Sequence, residues 1–100
     1  MTQSSNPLVR GKLTNSFLET FPRSAELYER ARSVFPSGVT HDGRMMLPFP
    51  LYIERAKGPH KWDGEGHQFV DYWVGHGGLI LGHGHPRVEG ALREQLGKGT

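Results

Sequence analysis

The stretch from Gly58 to Pro86, GPHKWDGEGHQFVDYWVGHGGLILGHGHP, constrains the fold more than any other part of the chain. Asp63-Gly64 beside Gly66 is hairpin chemistry, because glycine supplies the positive φ that a tight strand reversal needs. Residues Phe69 to Val74 then alternate, with Phe69, Asp71 and Trp73 to one side and Val70, Tyr72 and Val74 to the other, so a strand is expected over Gln68–Val74. Beyond it the side chains nearly vanish at Gly75, Gly77 and Gly78, where backbone can approach a ligand or another chain closely. Pro86 suits the first position of a helix. Val88, Ala91, Leu92 and Leu96 follow at helical spacing, and Gly97 and Gly99 end it.

Upstream, Leu51 to Ala56 alternates as a strand with Leu51 and Ile53 on one face. Lys57-Gly58-Pro59 turns the chain, and His60 to Trp62 returns. Together with Gln68–Val74 this predicts a three-stranded antiparallel meander. A helix is expected from Ser24 to Phe35, with Ser24 capping the free amides, Glu26 in the first turn, and Leu27, Ala31, Val34 and Phe35 forming one apolar stripe. Pro36 and Gly38 stop it. Residues 1–22 are polar and read as a flexible arm, anchored by Phe17, Leu18 and Phe21, ahead of a structured part over 23–100. Val39 to Pro50 shows no period and reads as a loop in which Arg44 stands beside Met45, Met46 and Leu47. Three strands and two short helices bury little, so the unit is marginal alone.

Composition removes several function classes. A net charge of +2, with basic residues scattered from Arg10 to Lys98 among acids, gives no nucleic-acid footprint. With no cysteine there is neither a disulfide staple nor a thiolate metal site, which suits a reducing compartment. Leu79-Ile80-Leu81 is the longest purely aliphatic run, far short of a membrane span, and the first twenty residues lack the apolar centre of a secretory signal. The expected location is the cytoplasm.

Six histidines invite a metal, above all His83-Gly84-His85, but the ligand set for zinc is incomplete and no metal is expected. The simpler role for His83 and His85 is to fix a glycine-rich turn by hydrogen bonds to backbone. Gly77 and Gly82 have the first spacing of a phosphate loop, yet His83-Gly84 stands where Lys-Ser/Thr is required, and Gly75-His76-Gly77 lacks the third glycine of a dinucleotide fingerprint. Asp63, Glu65 and Asp71 occupy turn and strand positions with nothing to pair them for acid–base work. No Gly-x-Ser-x-Gly turn exists, so the residues alone show no catalytic centre. Arg44 admits two readings: a solvated arginine laid over an apolar surface, or a guanidinium that grips a carboxylate through two parallel hydrogen bonds.

The order of short motifs from Glu26 to Gly99 resembles the N-terminal region of class III aminotransferases, the pyridoxal-phosphate enzymes of fold type I. The residues that carry this are Leu51-Tyr52-Ile53-Glu54-Arg55-Ala56-Lys57-Gly58, Trp62-Asp63-x-x-Gly66, Val70-Asp71-Tyr72, Leu81-Gly82-His83-Gly84-His85-Pro86 and Lys98-Gly99-Thr100. Within the class the chain is most similar to glutamate-1-semialdehyde aminomutase and its aminotransferase relatives, with Ser37-Gly38-Val39 followed by Arg44 similar to their Gly-Gly-Val…Arg loop. The resemblance implies an α/β parent, a homodimer working on small amino and keto acids, in which a lysine forms a Schiff base with pyridoxal 5'-phosphate.

That lysine has no counterpart here. Lys12, Lys57, Lys61 and Lys98 all lie in arm, turn or helix-end contexts, so no catalytic and no cofactor-binding residue is expected in this chain. It is read as a fragment lacking the large cofactor domain and inactive by itself. The resemblance assigns the Arg44 loop to the substrate carboxylate, with His41 and His76 near the substrate, where the aminomutase has serine and tryptophan. Those replacements favour a transaminase with another donor or acceptor over the aminomutase. A stand-alone interaction module that kept the meander and lost the chemistry is the alternative from another class.

Overall fold

A computed structural model describes residues 11–100, which pack as two compact units, one reaching to Tyr52 and the other running from Ile53 to Thr100. In the first unit, helix α1 spans Lys12–Thr20 and helix α2 spans Pro22–Arg32. Within the arm expected over 1–22, residues 12–20 are helical; residues 1–10 lie outside the described residues. The reason is aromatic packing. The Phe17 ring lies 4.8 Å from Phe21 and 5.0 Å from Phe49, and Phe49 is only 4% exposed. Aromatic pairs at these separations add to the stabilisation from area burial.

Helix α2 begins earlier than its polar residues suggest. Pro22 takes the first helical position, where its missing N–H costs nothing, and Phe21 precedes it as the cap residue. Ser24 is therefore not the cap. It lies inside the helix, buried, and its hydroxyl accepts the backbone N–H of Tyr52 at 3.0 Å. Glu26 falls beyond the first turn and pairs with Arg23 at 3.0 Å. The helix also ends sooner, at Arg32, leaving Val34 and Phe35 exposed, while Ala31 is buried. The following turn, Pro36–Gly38, is held against the helix: a Cβ on Gly38 would lie 2.7 Å from the Tyr28 ring and 2.8 Å from Arg32 Cγ.

The second unit carries the meander, with β1 Ile53–Lys57, β2 His60–Asp63 and β3 Gln68–Val70 in the order β1-β2-β3. Lys57 opposes His60 across a Gly58-Pro59 turn, and a bulge between Ile53 and Arg55 brings Arg55 opposite Trp62. The Arg55 guanidinium stacks 3.8 Å from the Trp62 ring centre. In the β2–β3 hairpin, expected from Asp63-Gly64 beside Gly66, the positive φ falls on Gly66 (87°). Asp63 C=O accepts from Gly66 N–H, so a hydrogen-bonded turn is followed by one left-handed residue, the three-residue loop geometry that glycine favours.

Strand β3 stops at Val70, and the alternation expected to Val74 is overturned. Asp71 Oδ1 takes the N–H groups of Trp73 and Val74 at 3.0 and 3.1 Å, so these amides no longer serve a ladder. Helix α3, Pro86–Leu96, has the predicted bounds, with Pro86 first and Gly97 at its end. Its apolar stripe, however, is open: Val88, Leu92 and Leu96 are exposed, as are Ile53, Val70 and Leu81. Among the described residues the buried apolar side chains are Ala31, Phe49 and Pro50, all in the first unit.

With so little apolar surface removed from water, the hundred-residue chain alone is predicted to lack a cooperative thermal transition and to associate through its open α3 face and sheet edges. Calorimetry with light scattering checks this; a sharp transition at a monomeric radius would overturn it.

Candidate functional site

The three residues expected to face a substrate fall in the two units. His41 and Arg44 share one tight turn, Asp42–Arg44, in the first. His41 caps that turn: its Nδ1 accepts Gly43 N–H at 3.0 Å, and its carbonyl accepts Arg44 N–H at 2.9 Å. Arg44 is exposed, and its Nη1 donates to Thr40 Oγ1 at 3.3 Å. No carboxylate among the described residues pairs with it, although Asp42 is two positions away. The turn thus presents a guanidinium oriented by a hydroxyl and a local fold, with its anion-binding edge unspent.

His76 lies in the second unit, in the loop after β3. Its ring meets Trp73 edge-on at 5.3 Å. Around it the backbone is left-handed at four successive residues, Val74 (φ 45°), Gly75 (63°), His76 (60°) and Gly77 (79°). A β-branched residue at positive φ is an outlier, and such strain persists only where neighbours over-determine it.

The groups that do so were missed by spacing. Asp71, buried, accepts His83 Nε2–H on Oδ2 at 2.6 Å, while its Oδ1 holds the Trp73 and Val74 amides and lies 3.5 Å from Lys61 Nζ. His83 therefore bonds a carboxylate through its ring; its backbone, not its ring, makes the backbone bonds, exchanging N–H and C=O with Gly58 at 2.8 and 2.9 Å. His85 does bond backbone, but at the start of α3 and not within the glycine-rich turn: its Nδ1 accepts Arg87 N–H at 3.3 Å as the helix cap. Lys57 Nζ donates to Gly84 C=O at 2.7 Å. The only sequence signal for this cluster was an aspartate just ahead of a glycine-rich run, the setting of side-chain-capped turns.

A second aspartate is tied the same way. Asp63 Oδ1 takes the N–H groups of Glu65 and His67, and Oδ2 meets His67 Nδ1 at 2.7 Å. Asp63, Glu65 and His67 bring ligand atoms within 4.8 Å of one another, but Asp63 is already committed to those three bonds. Burial pushes the Asp63 carboxyl up, yet the His67 ring and amide and the Glu65 amide outweigh it and hold it below the usual range. Asp71 is held far lower, first by the His83 hydrogen bond, then by the Val74 amide, against burial.

The sign of the resulting pH effect follows. A carboxyl whose folded pKa is depressed stabilises the fold above its unfolded pKa, and that contribution is lost as pH falls from the ordinary carboxylate range towards the lowered value. In the full-length gene product, Asp71→Asn is predicted to flatten the fall of Tm below about pH 4. Parallel acid limbs for the two proteins would refute it.

The lysines test whether these residues fit a Schiff-base cofactor. Lys57 is engaged by Gly84, Lys61 lies against Asp71, Lys98 pairs with Glu94 at 3.0 Å, and Lys12 is exposed at the first residue of α1. None stands in an enclosed site, so the described residues do not form a pyridoxal phosphate site by themselves. Among them, no helix is long and apolar enough to cross a membrane.

No family model matches the chain. Among curated proteins it is 49% identical over 77 residues to glutamate-1-semialdehyde 2,1-aminomutase of Hyperthermus butylicus, a match covering 76% of this chain and 18% of that protein. Among solved structures it matches the β-phenylalanine aminotransferase of Variovorax paradoxus with TM-score 0.80 and 27% identity, over 85% of this chain and 20% of the other. It matches the glutamate-1-semialdehyde aminomutase of Pseudomonas aeruginosa, solved also in complex with PMP, with TM-score 0.78 and 31% identity, over 85% and 19%. The chain spans about a fifth of the length of these relatives. In sequence and in backbone it belongs to the class III, fold type I aminotransferases, of which it is an N-terminal portion.

Proposed function

We propose that this chain is the substrate-side N-terminal segment of a pyridoxal-phosphate-dependent transaminase that moves an amino group between an amino acid or amine and a keto acid. The observation that carries this is Arg44: a guanidinium fixed by its turn, exposed, and without an acid partner among the described residues. Pyridoxal phosphate, when bound, supplies an electron sink at the carbon that loses its proton. This chain's own residues perform a different task. Arg44 binds the substrate carboxylate through parallel N–H···O bonds, and His41 holds the Arg44 turn in shape; His76, in the glycine loop of the second unit, is the further substrate-side residue.

A second reading is favoured by the identity to the Hyperthermus butylicus aminomutase: the parent would shift an amino group within one substrate. The presence of histidine at 41 and 76 supports the transaminase. Under either reading the working protein is a cytoplasmic homodimer. The test is the full-length gene product, read first for the visible absorbance of bound pyridoxal phosphate. It is then assayed with amino-acid and amine donors against a panel of 2-keto acids, and separately with glutamate-1-semialdehyde alone. Transfer to a keto acid supports the first reading, and turnover of the semialdehyde alone supports the second. A protein that neither binds the cofactor nor reacts is a non-catalytic interaction module.

A further inference from the structure

The loop between Asp71 and His83 has little of its own to hold it. Tyr72 is 92% and Ile80 87% exposed, and Trp73 and Leu81 are also exposed. Its backbone bonds are Gly77 N–H to Trp73 C=O, Gly78 N–H to Gly75 C=O, Leu79 N–H to Val74 C=O and Gly82 N–H to Leu79 C=O, beside the Trp73–His76 ring contact. Yet it keeps Val74 and His76 at positive φ, a conformation that must be imposed from outside. One buried carboxylate touches both ends. Asp71 Oδ1 receives the amide of Val74, the first left-handed residue, and Oδ2 receives the His83 ring, where the loop returns to Gly58.

We propose that Asp71 and His83 are positioning residues, a clamp that closes the loop at both ends and so sets where His76 stands toward the substrate. The substrate clause rests on the transaminase reading; the clamp itself does not. Neither residue need touch substrate. A depolarised or broken clamp leaves the meander and the Arg44 turn in place while the loop explores the right-handed conformations that Val74 and His76 otherwise prefer.

The test compares His83→Gln with His83→Asn in the full-length gene product. Both are polar and neither adds bulk, but the glutamine amide reaches the position of Nε2 and can still donate to Asp71, whereas asparagine stops short. Hydrogen exchange is the first readout: residues 73–82 should exchange about tenfold faster or more in His83→Asn and within about twofold of wild type in His83→Gln, with β1–β3 unchanged. Steady-state kinetics is the second. His83→Asn should raise KM for the carboxylate substrate about tenfold with a smaller change in kcat, His83→Gln should restore it, and the effect should vanish in a His76→Ala background.

Equal exchange in the Gln and Asn proteins overturns the clamp. Full additivity with His76→Ala overturns its action through His76. If His83→Asn does not accumulate, Asp71→Ala makes the comparison from the other side, because it removes the acceptor of both Val74 and His83 and should speed exchange over residues 73–82 in the same way. A full-length protein that binds no pyridoxal phosphate overturns the substrate clause together with the transaminase reading, while the exchange contrast still decides the clamp.

Discussion

Arg44→Ala in the full-length gene product is expected to lower kcat/KM for substrates carrying a carboxylate about ten- to a hundredfold, the equivalent of roughly 1.5–3 kcal/mol for a charge-assisted hydrogen-bonded contact. A carboxylate must be held while the amino group reacts several ångströms away, so its anchor needs direction as well as charge. The planar guanidinium offers both, and the Thr40 hydroxyl and the His41-capped turn already restrict where it points. Arg44→Lys keeps the charge and loses the fork, and is expected to fall between wild type and alanine. Amines without a carboxylate should react nearly as before. Equal slowing of both substrate types, or no effect on either, would make Arg44 a structural or solvated residue.

Gly82→Ala is expected to be the most destabilising single-methyl change in the second unit, by roughly 2–4 kcal/mol. Two penalties coincide there. The residue sits at φ 80°, and a Cβ would stand 3.0–3.1 Å from the O, C and Cα atoms of Gly58. Those are backbone atoms in the β1–β2 turn, tied to His83 by two hydrogen bonds, and they cannot swing aside as a side chain would. Gly77→Ala is the control. Its φ is 79°, but nothing lies within 4 Å of its added Cβ, so only the conformational penalty of about 1–2 kcal/mol applies. Urea midpoints of the two full-length variants measure the difference. Equal losses would show that the Gly58 approach contributes nothing.

Both predictions concern residues that the sequence placed only in part. The Arg44 loop was legible as a candidate anion site through the order of motifs around it, but spacing could not separate a clamp from a solvated arginine. In the turn His41 spends its ring nitrogen on Gly43, and no acid among the described residues takes the guanidinium; the Arg44 variants above decide between the two readings. Gly82 was legible as a glycine in a glycine-rich run. That it abuts Gly58 depends on the Gly58–His83 bridge, which joins segments far apart in the chain.

What the sequence alone determined was local. Pro86 and Gly97 bound α3, Gly58-Pro59 and the Asp63–Gly66 turn reverse the strands, and the antiparallel meander follows from short strands between tight turns. Each signal acts within a few residues, through a fixed φ, a missing amide or a tolerated left-handed conformation. Tertiary structure decided the rest. Ser24 gave up its capping role to the Tyr52 amide 28 residues on, α1 formed because Phe17 found Phe49, and β3 ended at Val70. The last case shows the physical reason. Alternation reports which side chains would share a face if a strand continued, but it does not register a carboxylate competing for the strand's amides. Asp71 captured those of Trp73 and Val74 because a histidine 12 residues later holds its other oxygen, and no periodicity spans that separation.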